Sequence, residues 1–365
     1  MALDPDPAAA PFADRHAALR AEVRSFVERE LRPYAAEWEA AREFPASVYR
    51  AAGAAGLLGW KYGPEDGGRG PDPLADVVVT EELARCGSGG VAAGLGATKD
   101  LAPYYVARFG TPEQRERWLR PCVTGAAVAG LAVTEPGAGS DVAALTTRAV
   151  RSGSEWVLTG AKVFCTNGSR ADWLLVAART SDEPGARGIS LLVVPTSAAG
   201  FSATRIPTLG WRPSQTGALS FDDVRLPADA LLGEGGDGFV MIMKSFQWER
   251  LALALASVSA AAANLAACRS GSQRWRGLAV RLAAVRALTY DALGRHLAGE
   301  EPLRQVSAAK WLACDLDVET ALLRYETTSD DNAERALRDA RLGPIGGGAR
   351  EVMADLVART LPLRT

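Results

Sequence analysis

Histidine and cysteine are scarce in this chain of 365 residues, and their positions exclude several kinds of site. There are only two histidines, which argues against a histidine-based triad and against a histidine-rich metal site. The five cysteines are odd in number and scattered, without the spacing of metal ligands. We therefore expect neither a disulfide framework nor a metal centre, and a reducing cytoplasm is the expected compartment.

Strong charge and long apolar runs are lacking as well. The formal net charge is -2, so the sequence predicts no electrostatic surface for nucleic acid or for an anionic membrane. The longest apolar run, Leu251–Ala267, is interrupted by Ser257, Ser259 and Asn264 and is too weak to predict a membrane-spanning helix. The N-terminus has no basic segment followed by an apolar one, so no signal peptide is predicted.

The chain does contain three stretches with different residue patterns. Residues 1–126 have apolar residues at helical spacing, and Thr111 followed by Pro112 predicts the start of a helix. Residues 127–232 hold short runs of strand-forming residues between turn residues. Residues 233–365 are helical again. This order predicts an α+β fold in which a sheet domain lies between two helical domains.

The individual elements of the second and third stretches can also be placed. Short apolar runs bounded by turn residues predict strands at 155–159, 173–177, 189–194 and 221–226. Longer runs with a helical residue pattern predict helices at 239–268, 278–297, 303–325 and 350–359.

The most informative segment is 131–141, which reads Leu-Ala-Val-Thr-Glu-Pro-Gly-Ala-Gly-Ser-Asp. Pro136 and the glycines after it predict a tight turn directly after an apolar strand, and glycine lets backbone N–H groups approach a ligand closely. Thr134 and Ser140 place hydroxyl groups beside the turn. Alone, such a pair of glycines is more often an ordinary turn, so the surrounding sequence decides the interpretation.

Further motifs follow in a fixed order. They read GAKVFCTNG at 160–168, FDDVRLP at 221–227 and LGEGGDGF at 232–239. With VTEPGAGSD in the segment above, they make the chain resemble the acyl-CoA dehydrogenase family over nearly its whole length. The resemblance implies an N-terminal helical domain, a middle β-barrel domain and a C-terminal helical bundle.

The resemblance also implies FAD as the cofactor, and no metal. The residues expected to line its isoalloxazine ring are Leu131, Val133, Thr134, Phe164 and Thr166. Thr166 would donate a hydrogen bond to N5, the atom that receives hydride, and Phe164 stands where the family usually has a tryptophan packed on the flavin. Gly139 and Ser140 belong to the expected cofactor-binding set, with Ser140 reaching the pyrophosphate.

The family's reaction needs a base that removes the α-proton of a thioester while hydride leaves the β carbon. A carboxylate in an apolar pocket suits this role, because desolvation raises its proton affinity toward the working pH. The family uses one of two positions. The commoner one, in the loop after Arg338-Asp-Ala-Arg341, holds Gly347 in this chain. The other, typical of isovaleryl- and long-chain-type members, is a glutamate before an arginine and is matched by Glu249 and Arg250.

We therefore expect Glu249 as the catalytic base and Arg250 as its orienting partner. Arg250 and Gly347 form the expected substrate-binding set, with the Gly347 N–H donating to the thioester oxygen. A lone Glu-Arg pair is more often an exposed part of a helix. Here the absence of the usual base and the apolar neighbours Trp248 and Leu251 favour the catalytic interpretation, and Glu351 is the second candidate.

Two family segments that contact the FAD of a neighbouring subunit are missing. The R-x-x-F-G loop for the pyrophosphate and the Q-x-x-G-G-x-G-Y loop for the adenine end are replaced by other sequence at 268–276 and 323–331. Arg269, Arg274 and Arg276 offer guanidinium groups for a pyrophosphate, although a solvated basic loop explains them equally well. We expect weaker FAD retention or a rearranged subunit contact.

Three functions remain open at this point. The first is FAD-dependent α,β-dehydrogenation of an acyl-CoA or acyl-carrier-protein thioester to the enoyl thioester, with an electron-acceptor flavoprotein or oxygen as the partner. The second is a flavin mono-oxygenase with the same fold. The third is a flavin-poor, non-redox family member that binds a carrier protein. The resemblance implies a homodimer or homotetramer, and the trimmed C-terminal region points to a biosynthetic relative.

Overall fold

The computed structural model describes residues 12–268 and 271–361. Its N-terminal part is helical. The helices are α1 (Asp14–Phe26), α2 (Ala35–Ala41), α3 (Ser47–Ala54), α4 (Pro73–Leu83), α5 (Gly89–Asp100), α6 (Ala102–Phe109), α7 (Pro112–Gln114) and α8 (Arg120–Val123). The predicted helix start at Thr111 is confirmed, because its hydroxyl accepts a hydrogen bond from the Gln114 N–H at 3.2 Å.

One eight-stranded sheet follows. Its strands are β1 (Ala129–Ala132), β2 (Arg148–Ser152), β3 (Glu155–Cys165), β4 (Trp173–Arg179), β5 (Ile189–Pro195), β6 (Phe201–Arg205), β7 (Gly217–Pro227) and β8 (Leu231–Leu232). They pair in the order β6-β7-β3-β2-β4-β5-β8, and β1 pairs in parallel with β4. The four predicted strands lie within β3, β4, β5 and β7. The sequence analysis missed β2 and β6 because most of their side chains are exposed and give no apolar alternation.

The central strands β4 and β5 are buried on both faces. Leu175 and Val193 belong to a core shared with the helices α6 and α9, the latter the long helix Gly238–Ala267. Leu174 and Val194 belong to a second core shared with β3 and β7. The sheet must therefore curl around this second core. The expected β-barrel is better described as a curled sheet, since β6 and β8 end the strand order and do not pair with each other in the part of the chain that the structure describes.

The C-terminal part is a helical bundle. Its helices are α9, α10 (Gln273–Leu297), α11 (Leu303–Thr328), α12 (Asp331–Ala340) and α13 (Arg350–Thr360). By length and composition alone α9 could cross a membrane, but 61% of its most apolar window is buried inside the fold. Such burial is expected of a core helix. The predicted fold class, α+β with a sheet domain between two helical domains, is confirmed.

A network of buried charges holds α9 against the N-terminal helices. Lys99 Nζ donates to Asp76 Oδ1 at 2.7 Å and to Asp100 Oδ1 at 3.0 Å, and Lys61 pairs with the same two carboxylates. Trp248 of α9 donates from Nε1 to Asp100 Oδ1 at 3.1 Å. Two amines and two carboxylates are thus paired away from water, and burial lowers the pKa of both lysines, most strongly that of Lys61. We call these four charged residues the buried charge network.

Candidate active site

The carboxyl group of Glu249 meets the glycine-rich loop before α13. Its Oε1 lies 3.6 Å from the point that a Cβ on Gly347 would occupy. Gly347 has φ +63, a backbone conformation that glycine adopts without strain. Glu249 Oε2 is buried and has no hydrogen-bond partner among the described residues. The structure therefore brings together the two positions that the sequence analysis singled out, the acid on the helix and the glycine in the loop.

The environment of Glu249 favours the protonated acid more than water does. Burial raises the pKa of Glu249 to about 7, although the positive charges of Arg250 and Lys310 work in the opposite direction. A carboxyl group with a pKa near 7 is partly ionised at neutral pH and can both take up and release a proton. Perturbed carboxyl groups of this kind are concentrated at functional sites.

Arg250 is placed differently from expectation. Its Nε donates to the Gly347 carbonyl at 3.4 Å, and Lys310 Nζ donates to the Gly348 carbonyl at 2.5 Å. Within the described residues no hydrogen bond joins Arg250 to Glu249. The expected role of Arg250 as an orienting partner is therefore not supported by a direct hydrogen bond. The two cations instead fix the loop carbonyls against α9 and α11. These two contacts hold the carbonyls of Gly347 and Gly348 in the loop.

The residues expected to line a flavin ring form one wall at the ends of β1 and β3 and in the residues that directly follow these strands. The Val163 N–H donates to the Thr134 carbonyl at 2.8 Å, and the Cys165 thiol donates to the Leu131 carbonyl at 3.3 Å. Phe164 projects from this wall with 66% of its surface exposed. An exposed aromatic ring beside an apolar strand offers a platform for a planar aromatic ligand. The wall could thus hold an isoalloxazine ring against Phe164.

The other predicted cofactor residues lie around this wall. Val133 is buried, and Leu131, Thr134 and Thr166 are half-buried. Gly139 and Ser140 lie in the exposed turn after β1. The closest side-chain or backbone atom to an added Cβ on Gly139 is Thr134 Cγ2, at 4.0 Å. Apart from Thr134, the turn leaves open space around Gly139, and these residues fit FAD.

A buried ion pair behind the wall was not anticipated. Lys162 Nζ donates to Glu135 Oε1 at 2.8 Å and to the Val133 carbonyl at 3.0 Å. Glu135 also accepts from the N–H groups of Thr146 and Thr147, at 2.7 and 2.9 Å. These bonds tie the turn after β1 to β3 and to the segment before β2. Glu135 and Lys162 both lie inside the motifs that carry the resemblance, and this position in the motifs was the one sign in the sequence that the pair matters.

Two further residues beside Glu249 escaped the sequence analysis. Tyr105 of α6 is 1% exposed and Ser245, one helical turn before Glu249, is 3% exposed. A tyrosine in a predicted helix and a serine in an alanine-rich helix carry no distinctive pattern. The apolar core around Tyr105 includes Leu131 of the wall and Phe246 of α9, so the wall and the acid helix share one core.

The Glu135–Lys162 pair generates a stability prediction. Burial alone raises the pKa of Glu135, but the hydrogen bonds from Lys162, Thr147 and Thr146 outweigh it and lower the pKa to about 2. Glu135→Gln leaves the Lys162 ammonium buried without its counter-charge, so we expect a loss of about 3–5 kcal/mol in unfolding free energy at neutral pH. Urea denaturation followed by circular dichroism measures it.

The matched control is Glu155→Gln, which removes an exposed ion pair with Arg225 at 3.1 Å on the same sheet and should cost less than about 1 kcal/mol. Because the folded pKa of Glu135 is depressed, its contribution is fully present above the unfolded value near 4.5 and is lost as the pH falls through about 2. Equal losses in the two variants would contradict the assignment.

Comparisons with known proteins cover almost the whole chain. Acyl-CoA dehydrogenase models match it as the N-terminal domain over residues 13–126, the middle domain over 130–224 and the C-terminal domain over 264–361. The mitochondrial long-chain specific acyl-CoA dehydrogenase of Mus musculus is 34% identical, over 96% of this chain and 87% of its own length.

Solved structures of acyl-CoA dehydrogenases are also similar to this chain. An acyl-CoA dehydrogenase from Geobacillus kaustophilus superposes with a TM-score of 0.90 at 34% identity, covering 97% of this chain and 100% of that chain. A probable acyl CoA dehydrogenase from Mycobacterium abscessus superposes with a TM-score of 0.88 at 38% identity, covering 96% and 99%. The buried acid, the aromatic wall and these matches have one explanation: the chain belongs to the acyl-CoA dehydrogenase family of FAD-dependent oxidoreductases.

Proposed function

We propose that this protein dehydrogenates an acyl thioester at its α and β carbons, with Glu249 as the base. The observation that carries the proposal is the carboxyl group of the half-buried Glu249. Its Oε2 is buried without a partner among the described residues, and its Oε1 meets a glycine where the family's commoner base would stand. Flavin-dependent acyl-thioester dehydrogenation is the activity of the family. The choice of base, the proton transfer and the substrate are our proposals.

The chain's own residues can be assigned parts in this reaction. Glu249 takes the α-proton, and the thioester oxygen gains negative charge as the α C–H bond breaks. A backbone N–H at Gly347 donates to that oxygen, and Arg250 holds Gly347 in place through its carbonyl. When bound, FAD accepts the hydride that leaves the β carbon. The proton and hydride account for the two hydrogens removed, and the product is the enoyl thioester.

The acyl carrier and the electron acceptor are further proposals. We favour acyl-CoA as the substrate form, because curated relatives at 34% and 32% identity are named for acyl-CoA. A flavoprotein is the favoured electron acceptor. A structure described as an electron transferring flavoprotein of Acidaminococcus fermentans superposes with a TM-score of 0.91 at 28% identity, over 97% of this chain. We also propose that the protein is a homodimer or homotetramer and that it acts in the cytoplasm.

The base assignment is tested by Glu249→Gln, which keeps the shape of the side chain and removes its basicity. We expect anaerobic bleaching of the flavin by an acyl-CoA to slow by about 10²- to 10⁴-fold, the usual contribution of a positioned base, while bound FAD is retained. Stopped-flow absorbance measures it. The matched control is Glu351→Gln, because Glu351 is exposed at the start of α13.

If the flavin of Glu249→Gln bleaches at the wild-type rate, or if bleaching slows equally in both variants, the assignment is overturned. A mono-oxygenase would be favoured by two results together. Acyl thioesters would leave the flavin of the wild type oxidised, and the flavin, once reduced, would consume oxygen. A purified protein that takes up no flavin would favour the non-redox carrier-binding alternative.

The pH dependence of reduction follows from the raised pKa of Glu249. Only the carboxylate accepts a proton, so the rate at low substrate concentration should rise with pH and level off above the folded pKa of about 7. Between about pH 5 and pH 7.5 we expect a gain of roughly a hundredfold, with a slope of one per pH unit at the acid end. Anaerobic reduction in a series of buffers checks this. A flat profile over this range would exclude Glu249 as the titrating base.

FAD retention should be weaker than the family's fold alone suggests. Helices α11 and α12 are joined by Ser329 and Asp330 alone, where the family's adenine-contacting loop is expected. Arg274 pairs with Glu326 of α11, Arg276 is exposed, and Arg269 lies outside the described residues. The basic groups proposed for a pyrophosphate are thus not gathered into a site among these residues.

We expect dialysis to leave substoichiometric FAD, and added FAD to restore the visible spectrum. Absorbance before dialysis, after dialysis and after reconstitution measures it. A full flavin spectrum that survives dialysis would contradict this expectation.

A further inference from the structure

The end of β3 is held in a backbone conformation that non-glycine residues rarely adopt. Phe164 has φ +58 and Asn167 has φ +63, both in the left-handed region. Between Lys162 and Cys165 the pairing of β3 with β7 shifts its register, as at a β-bulge. Such irregularities re-aim side chains and are common beside active sites. Two residues expected to face the flavin, Phe164 and Thr166, belong to this segment.

The side chain of Asn167 fixes the segment to three other elements. It is fully buried. Its Oδ1 accepts a hydrogen bond from Tyr49 Oη of α3 at 2.8 Å. Its Nδ2 donates to the carbonyls of Gly94 in α5 and Ala129 in β1, at 3.0 and 3.1 Å. A third acceptor, Thr98 Oγ1 of α5, lies 3.2 Å from the same Nδ2. Both polar atoms of the side chain are therefore paired inside the protein.

Asparagine meets both requirements of this position. It tolerates a left-handed backbone better than most non-glycine residues, because its short polar side chain forms local hydrogen bonds. Its amide also offers an acceptor to the Tyr49 hydroxyl and donors to the two carbonyls. A glycine would keep the backbone conformation and lose every side-chain contact. An aspartate would place an oxygen against two carbonyls.

The residue directly before Asn167 is Thr166, and its backbone lies close against β1. The Thr166 carbonyl oxygen is 2.9 Å from the point that a Cβ on Gly130 would occupy. The Thr166 side chain is half-buried, and among the described residues its hydroxyl has no hydrogen-bond partner. A hydroxyl on a fixed backbone, with its hydrogen unused, remains free to donate to a ligand at the wall.

We propose that Asn167 is a positioning residue for hydride transfer, which orients the Thr166 hydroxyl toward N5 of bound FAD by fixing the end of β3 to α3, α5 and β1. This inference rests on the proposed function for the hydride that reaches N5. Asn167 is fully buried and its polar atoms are paired, so it acts through its neighbour. The packing of two N-terminal helices against the sheet thus sets the geometry of the flavin wall.

The test is a double-mutant cycle of Thr166→Val and Asn167→Gly on the FAD-loaded protein. Spectroelectrochemistry gives the reduction potential of the bound flavin, and stopped flow gives the limiting rate of anaerobic bleaching by an acyl-CoA. Both single variants should shift the potential in the same direction and slow bleaching by about tenfold or more, since a misplacement of about 1 Å can cost a hundredfold. The apparent dissociation constant of the thioester should stay near its wild-type value.

The double variant decides whether Asn167 acts through Thr166. If it does, the double variant should be no slower, and its potential shifted no further, than the more affected single variant, because residues in one network are not additive. Independent effects would instead add in the potential and multiply in the rate.

Asn264→Ala is the matched control. Asn264 is also a buried asparagine, its Nδ2 donates to Asp317 Oδ1 at 3.2 Å, and it lies about four helical turns after Glu249 on α9. This variant should lower the melting temperature and keep the wild-type potential and rate. Tyr49→Phe removes one hydrogen bond to Asn167 and keeps the ring, so it should change both readouts less, in the direction of Asn167→Gly.

Four results would overturn the inference. They are a wild-type potential and rate in Asn167→Gly, a wild-type potential in Thr166→Val, independent effects in the double variant, and an equal shift of the potential in Asn264→Ala. If Asn167→Gly does not fold or does not bind FAD, Tyr49→Phe decides, and a wild-type potential and rate in that variant would overturn the inference.

The reduction potential is measured without an acyl thioester, so it separates this inference from the proposed function. If acyl thioesters leave the wild-type flavin oxidised while the potentials show the coupling of Asn167 and Thr166, the dehydrogenation is wrong and the positioning stands. If acyl thioesters bleach the flavin and the two variants act independently, the dehydrogenation stands and the positioning is wrong.

Discussion

The burial of one carboxyl group on α9 is the constraint on which the active-site geometry depends. Folding raises the pKa of Glu249 from 4.5 to about 7, so the folded protein binds more protons than the unfolded chain between these values. Stability therefore falls as the pH rises through this window, by about 3 kcal/mol in total, because each pKa unit corresponds to about 1.4 kcal/mol. The rest of the domain must offset this cost.

The buried charge network fixes the position of the helix that bears this carboxyl group. It contacts Trp248, the residue directly before Glu249, and joins it to α4 and to the junction of α5 and α6. Matched charges in a dry interior tolerate little displacement, because moving one partner leaves another uncompensated. The helix that holds the acid is thus fixed by a contact of the neighbouring residue, about 100° around the helix from Glu249. A reactive group is held in an unfavourable environment by a rigid surrounding, as is common at active sites.

The sequence predicted the architecture well where local pattern and burial agree. Strands β4 and β5 are buried on both faces and read as apolar runs, and Glu249 and Gly347 were singled out from motif positions alone. The contact between Arg250 and the Gly347 carbonyl was not predictable, since an arginine beside a glutamate gives no hint that it will bind a backbone carbonyl ninety-seven positions away. Tyr105 and Ser245 were missed for the same reason. Their burial comes from which helices pack together, and periodicity does not encode that.

The positive φ of Gly347 has a consequence for the evolution of this enzyme. A glutamate there would need a left-handed backbone that side chains rarely adopt, and its Cβ would stand 3.6 Å from an oxygen of Glu249. Two acids so close would share a single proton, and neither would keep its present affinity for it. A descendant could not relocate its acid to the loop by one mutation, since the intermediate would hold either both acids or none.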